Sequence, residues 1–143
     1  MNISAETLLG WIDIASKDLS SAIKLATPPE PQWETAVYHC QQAAEKATKA
    51  LLILHGQTPP KLHDIGLLVD KLEQFDHHLS DLTIAAERLT DFATKYRYPS
   101  FDDDPLTHEV VNQAIADAGL FLERAKTLVK EHIQKIASDG EKS

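Results

Sequence analysis

Apolar residues in the first stretch of the chain return at three- and four-residue steps: Leu8, Ile12 with Trp11, Ala15, Leu19, Ala22 with Ile23, and Ala26. That period places them on one side of a helix from Ser4 to Ala26. TPPEPQ, residues 27–32, ends it, because its prolines remove backbone donors and push their predecessors out of the helical region. A second helix begins near Trp33 and stops at Gly56, a residue suited to the left-handed position after a helix, with Pro59 and Pro60 beyond. A short third helix spans Asp64 to about Phe75, with Ile65, Leu68, Val69 and Leu72 inside and Gly66 weakening it. Ser80 as N-cap opens a fourth, striped by Leu82, Ala86, Leu89, Ala93 and Tyr96, with Phe92 alongside. YRYPSFDDDP breaks it, and Asp104 before Pro105 pairs a capping acceptor with a residue preset for the first turn. Val111, Ala114, Ala118, Phe121, Ala125, Leu128 and His132 then carry the last helix to about Ile136, before a fraying SDGEKS tail. No segment alternates with period two. The pattern predicts an all-α, up-and-down antiparallel bundle of four main helices plus one short helix: one domain over 1–138 and a disordered tail at 139–143.

The second helix, AVYHCQQAAEKATKALLILHG at 36–56, is unusual in its polarity. Ala36, Val37, Cys40, Ala43, Ala44, Ala47, Leu51 and Leu54 form a buried side whose small residues permit close helix approach. His39, Gln42, Lys46 and Lys49 fall on a neighbouring arc. Glu45 and Lys49 make a favourable i,i+4 pair, so part of this polarity supports the helix itself. The arc reads either as a solvated face or as a ligand site.

Composition narrows the choice. The chain has 143 residues, 43% hydrophobic and 25% charged, enough for one globular core. Its longest apolar run, Ala50 to Leu54, is far short of a membrane span, and the opening residues lack a basic and then an apolar region. Cytoplasmic residence is expected, and the single cysteine, Cys40, agrees with a reducing compartment. A net charge of −8 repels phosphate backbones at long range, so nucleic-acid binding must come from a few clustered cations. Lys46, Lys49, Lys61 and Arg97 are the grouping on offer.

AVYHCQQAAEKATKALL, then His63 and Asp64 opening the next helix, then YRYP at 96–99, together with the first-helix pattern WIDIASKDLSSA and a long closing helix, resemble the HEPN family, the higher eukaryote and prokaryote nucleotide-binding domain. The likeness covers nearly the whole chain. It implies a helical bundle, frequent homodimers, and roles connected with nucleotides or RNA. Many such proteins are encoded beside a minimal nucleotidyltransferase in pairs likened to toxin and antitoxin. Others cut RNA without a metal, using an Arg and a His four to six residues apart near the start of the final helix, the His moving the proton and the Arg holding the phosphate.

Arg97 corresponds to the family arginine by its place in YRYP, but the next histidine is His108, with ten residues between them, Asp102, Asp103 and Asp104 among these. Three carboxylates beside a phosphate repel it unless a cation or a helix N-terminus absorbs their charge. They read more simply as a loop and a cap than as a magnesium site. His77 with His78, and His55 with His63, lack the company of carboxylates or thiols that a closed metal site needs. No metal or cofactor is expected. Cys40 reads as a small core residue, His132 as a satisfied core or interface group, and Tyr96 as a packing residue, which leaves Tyr98 to stack on a base. His63 either orients its loop or faces the polar arc. Three readings stand: a nucleotide- or RNA-binding homodimer with a nucleotidyltransferase partner, contacting ligand through His39, Gln42, Lys46, Lys49, His63, Arg97 and Tyr98; a metal-independent endoribonuclease using Arg97 and His108; and a structural helical adaptor.

Overall fold

The computed structural model describes residues 4–76, 78–96 and 106–141. Arg97, Tyr98, the three aspartates at 102–104, Pro105 and His77 therefore lie outside the described residues, as do the side chains of Ala93 and Tyr96. Within them the order is α1 (Ala5–Ala26), α2 (Trp33–Leu54), α3 (Ile65–Leu72), α4 (Ser80–Tyr96) and α5 (His108–Glu141), with no strand.

The caps explain most boundaries. Ser4 accepts from the Thr7 amide at 3.4 Å, and Asp64 accepts from the Leu67 amide at 3.2 Å. A Cβ on Gly66 would come within 3.2 Å of that Asp64 oxygen, so the glycine that weakens the helix by propensity makes room for its cap. α2 ends in paired bonds, Gln57 N–H to Leu52 O at 3.0 Å and Gly56 N–H to Ile53 O at 2.9 Å, with Gly56 at φ 79.

Four expected boundaries move, the first being the end of α3, which stops at Leu72 and not near Phe75. Ser80 is the first helical residue of α4 and not its cap: the Leu79 carbonyl takes both the Thr83 amide at 2.9 Å and the Thr83 hydroxyl at 3.2 Å. α5 starts at His108, where Thr107 Oγ1 accepts from the Val110 amide at 3.3 Å, so Thr107 supplies the cap expected of the Asp104–Pro105 pair. At its other end α5 continues to Glu141, past Ile136 and into the stretch expected to fray.

α2 touches every other helix: α1 most extensively, then α5, α3 and α4. A helix surrounded in this way has little room for bulk, which accounts for Ala36, Cys40, Ala43, Ala44, Ala47 and Ala50, all fully buried. Its last turns are buried all round, with Leu51, Leu52 and Ile53 consecutive in the core. Phe121 on α5 is the largest fully buried side chain. Most of the expected stripe residues that are described are buried, but Ile23 is 48% exposed, and Trp11, Leu19, Leu54, Phe92, Leu128 and His132 are only half-buried. No helix among the described residues is long and apolar enough to cross a membrane.

Candidate functional site

The polar arc of α2 divides between two carboxylates. Asp18, on α1, lies opposite His39 and Lys46. His39 Nδ1 is 2.9 Å from Asp18 Oδ1, and Lys46 Nζ donates to Asp18 Oδ2 at 2.5 Å. All three side chains are partly buried, at 29%, 25% and 12% exposure for His39, Lys46 and Asp18. Gln42, between the two bases on the helix, is half-buried.

Glu45 forms the second centre. Its side chain is only 4% exposed, with His63 Nδ1 at 2.9 Å from Oε1 and Lys49 Nζ at 3.7 Å from Oε2. Lys49 is itself 9% exposed. The sequence pattern puts Lys49 on an accessible arc; in the fold it is a buried counter-charge, because α3 and its preceding loop close over that side of α2. His63 comes from that loop with 81% of its side chain exposed. Its bond to Glu45 settles the alternative left open by the sequence: the ring orients the loop and faces the polar arc at once. Lys61, in the same loop, is exposed.

His108 stands apart from both centres. It is exposed in the first turn of α5, with Nδ1 3.3 Å from the side-chain Nδ2 of Asn112 and its ring 6.2 Å from that of Trp33. The Trp33 indole N–H is buried without a hydrogen-bond partner among the described residues.

A further polar cluster, which sequence reasoning missed, joins α4 to α5. Arg88 donates to Asp117 through Nε at 2.9 Å and Nη2 at 2.8 Å, and Gln113 donates to the same carboxylate at 3.0 Å. Asp117 is 2% exposed; its hydrogen bond holds Arg88 protonated above the ordinary guanidinium range, against a smaller opposing effect of burial. The signal was present, since Asp117 sits three residues after Ala114 and four before Phe121, on the buried row of α5, where a carboxylate demands a partner. Cys40 lies fully buried, and burial, aided by the nearby Asp117 charge, pushes its thiol up to about 12. That is an inert core thiol. Among the described residues no three His, Cys, Asp or Glu side chains gather as a metal site. His55 instead stacks on Phe75, with centroids 5.3 Å apart.

A family model, the HEPN domain, matches residues 8–128. The chain belongs to the HEPN family. Solved structures agree: ST0689, an archaeal HEPN homologue, is 26% identical with a TM-score of 0.67, the match covering 85% of this chain and 97% of that one. TT1696 from Thermus thermophilus is also 26% identical, with a TM-score of 0.70 and coverage of 87% and 97%. No curated protein matches significantly. The all-helical bundle of this HEPN domain thus keeps its ion-paired centres inside the matched region, with Asp18, Glu45, His63 and Asp117 all between residues 8 and 128.

Proposed function

We propose that this HEPN domain binds a nucleotide or a short stretch of RNA, and works as a homodimer with a minimal nucleotidyltransferase in a toxin-antitoxin-like pair. The observation that carries the reading is family membership across residues 8–128, in a family associated with nucleotides and RNA. Accessibility supports different roles for the residues of the arc. His39, Gln42 and Lys46 are partly accessible, and His63 is widely so, which suits them to direct contact. Lys49 is enclosed and acts through Glu45, by holding the carboxylate that orients His63. An incoming phosphate competes with Asp18 for Lys46, exchanging one charge-assisted bond for another. Arg97 and Tyr98 complete the proposed contact set, the first on phosphate and the second on a base.

Titration with fluorescent mononucleotides and a short single-stranded RNA tests this. Lys46→Ala is expected to weaken binding at least tenfold and Lys46→Arg much less, while equal binding by wild type and Lys46→Ala overturns the assignment. Co-purification with the product of an adjacent nucleotidyltransferase gene tests the partnership.

The second reading, a metal-independent endoribonuclease, draws on His108, exposed in the first turn of α5 with its ring 6.2 Å from that of Trp33. It expects RNA cleavage in EDTA that disappears in both His108→Ala and Arg97→Ala; cleavage that survives His108→Ala eliminates it.

A further inference from the structure

The end of α2, the loop after it and the end of α3 enclose a notch of about 120 Å³. Leu52, Pro60 and Phe75 form its apolar wall, and Gln57, Thr58, Lys71 and Gln74 its polar wall. Backbone bonds frame both sides. The Gln57 amide donates to the Leu52 carbonyl at 3.0 Å where α2 closes, and the Phe75 amide donates to the Leu72 carbonyl at 2.9 Å where α3 closes. The Phe75 ring is stacked on His55 with 14° between their planes, and His63 on Glu45 ties down the far end of the loop that carries Thr58 and Pro60. The notch is therefore shaped before anything enters it, which lowers the ordering cost of binding.

Its charge is one-sided. In a chain of 22 acidic and 14 basic residues, this notch is lined by a lysine and by no carboxylate. The helical neighbours of Lys71 at three and four residues are Leu67, Leu68, Gln74 and Phe75, none of them acidic. Two carboxylates close by in sequence are engaged elsewhere: Glu73 accepts from the Thr83 hydroxyl at 2.9 Å, and Asp76 from the His78 amide at 3.0 Å. Asp70 is exposed, four residues before Gln74, and lies outside the lining. Among the described residues no hydrogen bond or ion pair engages the side chains of Gln57, Thr58, Lys71 or Gln74. Water is their partner, and a ligand has only to exchange with it.

Size and wall chemistry select the ligand. Pockets for larger small molecules hold about 300–1,000 Å³, so this one takes a single small group, the equivalent of about four waters at ~30 Å³ each. Inorganic phosphate would set some of its oxygens against the apolar wall, where they lose water and gain no donor. A short carboxylic acid divides as the walls do. Its two oxygens accept from the Lys71 ammonium, the Gln57 and Gln74 amides and the Thr58 hydroxyl, and its carbon stub lies on Leu52, Pro60 and Phe75.

We propose that this notch binds a short aliphatic monocarboxylate, of acetate to butyrate size, with Lys71 as its counter-charge. The site is separate from His39, Lys46 and His63, and it stands or falls independently of nucleotide binding.

NMR titration of the nitrogen-15-labelled full chain, at fixed pH and ionic strength, tests it with sodium propionate, acetate and phosphate. Propionate is expected to shift the amides of Gln57, Thr58, Lys71, Gln74 and Phe75 saturably, with a dissociation constant on the order of millimolar. Acetate is expected to bind about fourfold more weakly for its missing methylene, and phosphate to give no saturable shift at these amides. Lys71→Met, at an exposed position and with an otherwise unchanged spectrum, is expected to weaken propionate at least about tenfold, and Lys71→Arg much less. Shifts that rise linearly in wild type, propionate binding that survives Lys71→Met, acetate as tight as propionate, or phosphate as tight as either would each overturn the assignment.

Discussion

Asp18 and Glu45 do the same task in different surroundings. Each carboxylate gathers one lysine and one histidine, but Asp18 stands at the α1–α2 seam with partners that water reaches, whereas Glu45 is enclosed with Lys49 between α2 and the α3 region. A partly solvated cluster loses little when one member is removed, because water replaces it. Stripped of Lys49, the enclosed Glu45 keeps His63 on one oxygen but loses the buried lysine charge beside the other. Accessibility and structural importance are therefore divided between the two centres: Lys46 is within reach of water, and Lys49 cannot leave Glu45 without cost to the fold.

The sharpest way to break the comparison is to truncate the two lysines in turn. Lys49→Ala is expected to destabilise the protein by about 3–5 kcal/mol, and Lys46→Ala by about 1 kcal/mol or less, in urea unfolding. Equal losses would mean that the enclosure of Glu45 has no energetic consequence. A smaller difference separates the histidines. His63→Ala removes a bond to a buried acceptor and is expected to cost about 1–3 kcal/mol, against about 0.5–1 kcal/mol for His39→Ala, whose acceptor keeps Lys46 and some water. The gentlest probe is salt: raising it to about 1 M shortens the screening length to about 3 Å, which is expected to shrink the effect of Lys46→Ala while leaving that of Lys49→Ala nearly unchanged.

The Arg88–Asp117 clamp shows the same logic from a third position. Asp117 is nearly sealed while the Arg88 side chain is 43% exposed. Removing the arginine strands a buried charge, but removing the aspartate frees the arginine into water. The more harmful substitution is therefore the one at the more exposed residue.

Much of this was legible along the chain. The 3.6-residue period and the prolines at 28, 29 and 31 gave α1 and α2 their extents, because those signals act through local backbone geometry. The boundaries that moved were settled by competing caps close together in sequence, as where Thr107 holds α5. Of the proposed contact residues, the polarity of His39, Gln42, Lys46 and Lys49 was visible, but not their division. Residues on one arc of an isolated helix become inequivalent once different neighbours cover its two sides.

Sequence alone determined an all-helical bundle, a small-residue central helix and membership of a family, since periodicity and motif order are properties of the chain itself. Only the tertiary structure decided that Asp18 would reach across 28 residues of sequence to Lys46, that Lys49 would be shut away, and that Leu9 would stay open to solvent. Burial and ion pairing depend on which helices meet, and that is fixed by packing of the whole core, not by any local stretch of residues.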